Sequence, residues 1–183
     1  MNLTGQILVS MPSLEDERFF KTVIYMCAHS SEGSMGIIIN KKIDYDLYPD
    51  LLEQLGIDKP LDNKKLFIRY GGPIESGRGF VLHSDDMMRK ETLNIDKGVA
   101  LTSTAEFFDD LSLGKGPKNS ILALGYAGWG PGQLEDEIIQ SSWMTLSVDT
   151  SFLFDEEVSR KWTEAYKIMG VDPNNLSFKS GRA

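Results

Sequence analysis

Four successive residues, Gly36-Ile37-Ile38-Ile39, restrict this chain more than any other stretch. On an extended strand successive side chains point to opposite faces, so an unbroken aliphatic run is stable only where both faces of the sheet are covered. Other short apolar runs, punctuated by Gly, Pro and Ser, read in the same way: Gln6 to Met11, Thr22 to Cys27, Leu66 to Tyr70, Gly79 to His83, Val99 to Thr102, Ile121 to Tyr126 and Trp143 to Val148. With Met35 to Asn40 they make eight expected strands.

The covering helices are expected over Asp46 to Gly56, Ser103 to Leu113, Gly132 to Ser141 and Asp155 to Met169. Ser103-Thr104-Ala105-Glu106 has the pattern of a capping box. In the last helix Val158, Trp162, Ala165 and Met169 form one apolar stripe, Asp155 can cap the start, and Gly170 suits a left-handed end. Strands come first and helices are interspersed late, which is not the regular alternation of a doubly wound fold. The expected class is therefore α+β, with a mixed or barrel-like sheet.

At 183 residues, with 41% hydrophobic and 25% charged side chains, the chain is large enough for one good core. No linker or repeat divides it, so one domain over 1–183 is expected, with a loosely attached polar tail from Val171. The N-terminus lacks a signal-peptide pattern and no apolar run approaches the length of a spanning helix, which points to a cytoplasmic protein without a membrane partner. The net charge is −8, and Lys and Arg run no longer than pairs. Such a surface repels phosphate backbones and argues against direct nucleic-acid binding.

The least ordinary segment is Gly125-Tyr126-Ala127-Gly128-Trp129-Gly130-Pro131-Gly132-Gln133-Leu134-Glu135. It follows an expected strand and precedes an expected helix, the place where α/β proteins bind phosphate on backbone N–H groups. The dinucleotide fingerprint nevertheless fails, because Gln133 holds the third glycine position and the crossover is too short. No Gly-Lys-Ser/Thr follows, and Glu135, Asp136 and Glu137 would repel a phosphate. Two readings stay open: a tight strand-to-helix turn with Trp129 packed over the core, or a contact surface for a protein partner or small ligand using Tyr126, Trp129, Gln133 and Glu137.

Gly71-Gly72-Pro73 is a second turn, and beside the first it would line a groove. Cys27 and His29 lie two apart at a strand end, which places both on one face and allows a thiolate pair; the alternative is a small buried cysteine. His83, before Ser84-Asp85-Asp86, reads either as a general base or as a strand-end histidine bonded to the next turn. With one cysteine and two histidines the ligands for a structural metal are too few, and no cofactor is expected.

Gly5-Gln6-Ile7-Leu8-Val9 with Pro12, Cys27-Ala28-His29, Gly33-Ser34-Met35-Gly36-Ile37-Ile38-Ile39-Asn40, Gly71-Gly72-Pro73, Val81-Leu82-His83, the string from Leu124 to Glu137, Trp143 and the ending Ser180-Gly181-Arg182-Ala183 together resemble the AlgH/YqgE family, also called UPF0301 or DUF179. The resemblance runs nearly end to end. It implies a bacterial, cytoplasmic protein with a bifurcated β-sheet, including a small barrel, surrounded by helices. The family name comes from a link to regulation of alginate production, which implies transcriptional regulation. No helix-turn-helix with a basic recognition helix is visible here, so that role is expected to be indirect. The leading expectation is a non-enzymatic binding or regulatory protein with a protein or small-ligand partner. The alternative is a hydrolase-like or thiol-dependent enzyme using Cys27 with His29, or His83.

Overall fold

The computed structural model describes residues 2–43, Glu53 and 68–176. Among the described residues nine strands and four α-helices with described bounds follow in chain order: β1 (Ile7–Ser10), β2 (Val23–Ser30), β3 (Gly33–Ile38), β4 (Ile68–Tyr70), β5 (Ile74–Ser84), β6 (Leu93–Asp96), β7 (Val99–Thr102), α1 (Ala105–Ser112), β8 (Ser120–Trp129), α2 (Gln133–Ile139), β9 (Trp143–Leu146), α3 (Thr150–Phe154) and α4 (Lys161–Ile168).

The strands run in the order β6-β7-β5-β8-β3-β2-β1-β9, all pairs antiparallel, with β4 added parallel to β8. β8 is where the sheet forks. One edge of β8 pairs with β5; along the other, Leu122 to Leu124 pair with β4 and Ala127 to Trp129 pair with β3. Beyond Gly36, β3 leaves β8 and β4 enters the gap, with the Ile38 N–H donating to the Gly71 carbonyl and the Gly71 N–H to the Leu124 carbonyl. The class is α+β with a mixed, forked sheet, as expected; among the described strands the path from β6 to β9 stays open, not closed into a ring.

The fork produces three apolar cores. On the face shared by both arms, Ile7, Val9, Tyr25, Ile37 and Ile39 meet Phe80, Leu82, Leu101 and Ile121, under Leu153 of α3 and Trp162 and Tyr166 of α4. Behind one arm, Leu8, Ile24, Met26 and Ile38 pack with Leu3, Trp129, Trp143 and Leu134 of α2. Behind the other, Val81, Leu122 and Leu124 lie under Phe107, Phe108 and Leu111 of α1. Ile37 and Ile39 face the shared core and Ile38 the second, which accounts for the continuous aliphatic run.

Gly125 makes the fork possible. Its φ of 69° is left-handed, and an added Cβ would stand 2.4 Å from the Gly72 carbonyl oxygen. The kink shifts the strand's alternation. Ile121 and Ala123 face the shared core before it, whereas Ala127 and Trp129 face the second core after it, with Tyr126 turned to the shared side. On the partner strand, Glu75 to Arg78 bulge out between the Ile74–Tyr126 and Gly79–Leu124 pairs. Gly77 to Gly79 therefore belong to β5, which starts earlier than the strand expected from Gly79, and the first half of the glycine-rich string is strand.

Other local expectations are corrected. The capping box does not form: Thr104 is the N-cap without a side-chain bond, and Ser103 Oγ accepts from Arg78 instead. The helix expected from Asp155 starts late: Asp155 instead ends α3, a short separate helix capped by Asp149 and not expected from the sequence, and a 3-10 turn over Val158–Arg160 leads into α4. Gly170 ends α4 at φ 69°, as its position suggested. The segment from Val171, expected to be loose, is packed as far as described, with Val171 and Leu176 against the shared core. The strand β6 was not read from the sequence. The helix expected over Asp46 to Gly56 lies outside the described residues except for Glu53, which is helical.

Candidate functional site

The string's second half builds a clasp between sheet and helix. Gly132, at φ 74°, reverses the chain and leads into α2. The Gly130 N–H donates to Gln133 Oε1 at 3.0 Å, and the Gln133 N–H to the Gly130 carbonyl at 3.1 Å, a reciprocal pair that serves as the cap. One turn on, Glu137 points at the sheet. Its Oε2 accepts from the indole N–H of Trp129 at 2.9 Å and of Trp143 at 2.8 Å, while its Oε1 accepts from Gln133 Nε2 at 2.9 Å. The indole rings meet edge to face at 6.1 Å, and Phe19 closes the other side of Trp143 at 5.6 Å.

A seven-residue helix is marginal on its own. Here it is fastened by buried Leu134 and by a carboxylate bonded to side chains of β8, β9 and α2 itself. Trp129 is 7% exposed, so of the sequence candidates it and Glu137 face inward. The outer face of α2 carries Asp136 and Ile139, with Ile139 79% exposed and the C-cap Gln140 exposed beside it.

His29 ties a second element to α2. The Leu3 backbone N–H donates to Nδ1, which makes Nε2 the proton-bearing nitrogen, and Nε2 donates to Glu135 Oε1 at 2.9 Å. Its own backbone N–H, with smaller help from His29, holds the Glu135 carboxyl below the usual carboxylate range. Cys27 does not join His29. Cys27 faces the shared core in step with Val23 and Tyr25, and a bulge between Met26 and Ala28 then interrupts the alternation of β2 and turns His29 to the opposite side with Leu3. Burial pushes the Cys27 thiol up to about 12, so at neutral pH it is a packed apolar group rather than a nucleophile.

His83 is fully buried on β5. Its Nδ1–H donates to the Ser84 carbonyl, which leaves Nε2 to accept from the Thr102 hydroxyl at 2.8 Å; the ring stacks on Phe107 at 4.6 Å. Burial lowers its pKa, so the ring is neutral and structural. Gly71 and Gly72 lie against Gly125 and Tyr126, where an added Cβ on Gly72 would stand 2.1 Å from the Tyr126 carbonyl carbon. The two glycine segments meet at Gly125, but as closed backbone packing instead of an open groove, with Pro73 half-buried beside it. Tyr126 is half-buried and packs edge-on to Phe80 at 5.7 Å.

Two pockets lined by described residues lie away from these groups. One of about 580 Å³ is walled by the loop from Pro12 to Phe20, and one of about 340 Å³ adjoins α3 and α4; none of the sequence candidates lines either. Lys161, which lines the second and is 2% exposed, was missed. The available signal was its place four residues before buried Ala165, on the inward stripe of α4. Among the described residues no group of three or more His, Cys, Asp or Glu side chains is arranged to hold a metal ion, and no helix is long and apolar enough to cross a membrane.

A forked α+β sheet with its helix clasped by a tryptophan–glutamate network defines a structural class before any chemistry. The chain belongs to the AlgH-like family DUF179, whose model matches residues 7–174. A UPF0301 protein of Nitrobacter hamburgensis is 48% identical over 189 residues, covering 99% of this chain and 88% of its own, and one of Rhodospirillum rubrum is 44% identical over 181 residues, covering 99% and 94%. The solution structure of the AlgH protein from Pseudomonas aeruginosa matches with a TM-score of 0.80 at 33% identity, over 100% of this chain and 97% of that one. A Corynebacterium diphtheriae crystal structure shares the fold, with a TM-score of 0.69 at 19% identity, over 91% and 86% of the two chains.

Proposed function

We propose that this chain is a non-catalytic, cytoplasmic regulatory protein that acts through a protein partner docked on the outer face of α2, and that its influence on transcription is indirect. The observation that carries this reading is Ile139, 79% exposed at the end of a helix held rigidly to the sheet. Burying such a side chain in a partner is worth about 1.5–3 kcal/mol, and a prefastened helix loses little freedom on binding. Asp136 beside it and the net charge of −8 favour a partner with a basic rim over nucleic acid. Gln133 and Glu137, candidate contacts in the sequence, serve by holding the helix in place.

A photo-crosslinking residue at position 139, with one at exposed Leu113 as control, tests this in cells. The expected result is a defined protein adduct from position 139 alone, lost on Asp136→Lys while the melting temperature is unchanged. The same adducts from both positions, or none from 139, would refute the α2 surface.

A further inference from the structure

Lys161 opens α4 with its long side chain buried. Its amine donates to the Phe152 carbonyl and stands 5.0 Å from the centre of the Phe152 ring. The pocket of about 340 Å³ beside it is lined also by Asp155, Arg160, Glu164 and Ile168. Burial pulls the amine down to about 8, Asp155 resists that fall, and the positive charge of buried Arg69 adds to it. Desolvation together with a neighbouring cation is the combination that turns a lysine into a nucleophile near neutral pH.

We infer that Lys161 is an acceptor for small activated acyl groups, its amine attacking the carbonyl carbon of a thioester that enters the pocket between α3 and α4. The nitrogen lone pair forms the C–N bond, the C–S bond breaks, and the departing thiolate takes up the proton released by the amine. No oxidant or reductant is required. The product explains the choice of donor. A neutral amide removes a buried charge that burial and the charge of Arg69 both disfavour, whereas a Schiff base formed from an aldehyde would keep one when protonated. Phe152 and Ile168 offer apolar wall to a short acyl chain, and Asp155 and Glu164 select against anionic donors. The inference is independent of the α2 docking surface, with which it shares no residue.

The test uses the whole chain and S-acetyl-N-acetylcysteamine, an uncharged thioester, with acetylation at each lysine followed by peptide mass spectrometry. At pH 7.5 an amine titrating near 8 is about one-quarter unprotonated, against about one part in a thousand for an ordinary lysine; allowing for its weaker basicity, the expected advantage is about tenfold. Lys97 and Lys167, whose side chains are 66% and 70% exposed, are the internal references. Faster acetylation of Lys161, rising through a midpoint near pH 8 and losing its advantage in urea-unfolded chain, supports the assignment. Acetylation no faster than at Lys97 and Lys167, or a preference that survives unfolding, overturns it.

Discussion

Replacing Glu137 by alanine tests whether the α2 clasp holds the fold as its geometry implies. The carboxylate is the acceptor for two indole N–H groups, on Trp129 at 7% and Trp143 at 3% exposure. A buried donor left without a partner costs about 1–3 kcal/mol, so the two together should cost about 3–4 kcal/mol, and the exposed Gln133 amide adds little. In a chain of this length that corresponds to a fall in melting temperature of roughly 10 °C. Glu137→Gln separates the acceptor from its charge. Its amide oxygen can still take both indoles, but its NH2 then meets Gln133 Nε2, which must turn and release the Gly130 N–H. That variant should cost about 1–2 kcal/mol. Urea unfolding followed by tryptophan fluorescence measures both. A Glu137→Ala cost below about 1 kcal/mol, or equal costs for the two variants, would show that the indole bonds do not carry the stability assigned to them.

Cys27 should resist a mild alkylating agent at pH 7.5 in the folded protein and react fully once unfolded, because its thiol is buried and pushed up to about 12; rapid labelling of the native chain would contradict its placement. His83 makes stability depend on pH in a defined sense. Its folded-state pKa lies below the ordinary 6.5, so the unfolded chain binds the proton more readily; stability is full above pH 6.5 and declines below it, by at most about 1.4 kcal/mol per pH unit. Urea titrations at pH 7.5 and 5.5 should show that decline in the parent and a smaller one in His83→Gln, and an equal decline in both would remove His83 as its source.

The sequence carried the strands better than their arrangement. Continuous runs such as Ile37-Ile38-Ile39 announce burial on both faces, and the resemblance of the 124–137 string to its family points to a forked sheet. Periodicity alone does not reveal that Gly125 inverts the faces of β8 or that a bulge at Cys27 inverts those of β2, since both effects depend on a single backbone torsion or an unpaired residue. The pairing of Cys27 with His29 failed for this reason: spacing of two means a common face only on an uninterrupted strand. Glu137 was legible as a carboxylate at a helix start, whereas its role as acceptor for two tryptophans fourteen residues apart in sequence required tertiary contact. β6 was hidden because Leu93-Asn94-Ile95-Asp96 is a short edge strand with mixed polarity, held by pairing with β7 more than by its own pattern.

The placement of β8 at the centre of the fork also sets a schedule for synthesis. β3 needs β8 on its outer edge, yet roughly 80 residues of chain separate the two, a delay of several seconds at about 5–20 residues per second of synthesis. During that interval a ribosome-bound β1-β2-β3 meander would present Gly33 to Ile38 as an unsatisfied aliphatic edge, one that also awaits β4 further along. Nascent-chain handling, and not only the stability of the finished molecule, therefore bears on how much folded protein a cell obtains, and chains stalled before Ser120 are the ones that should recruit chaperones.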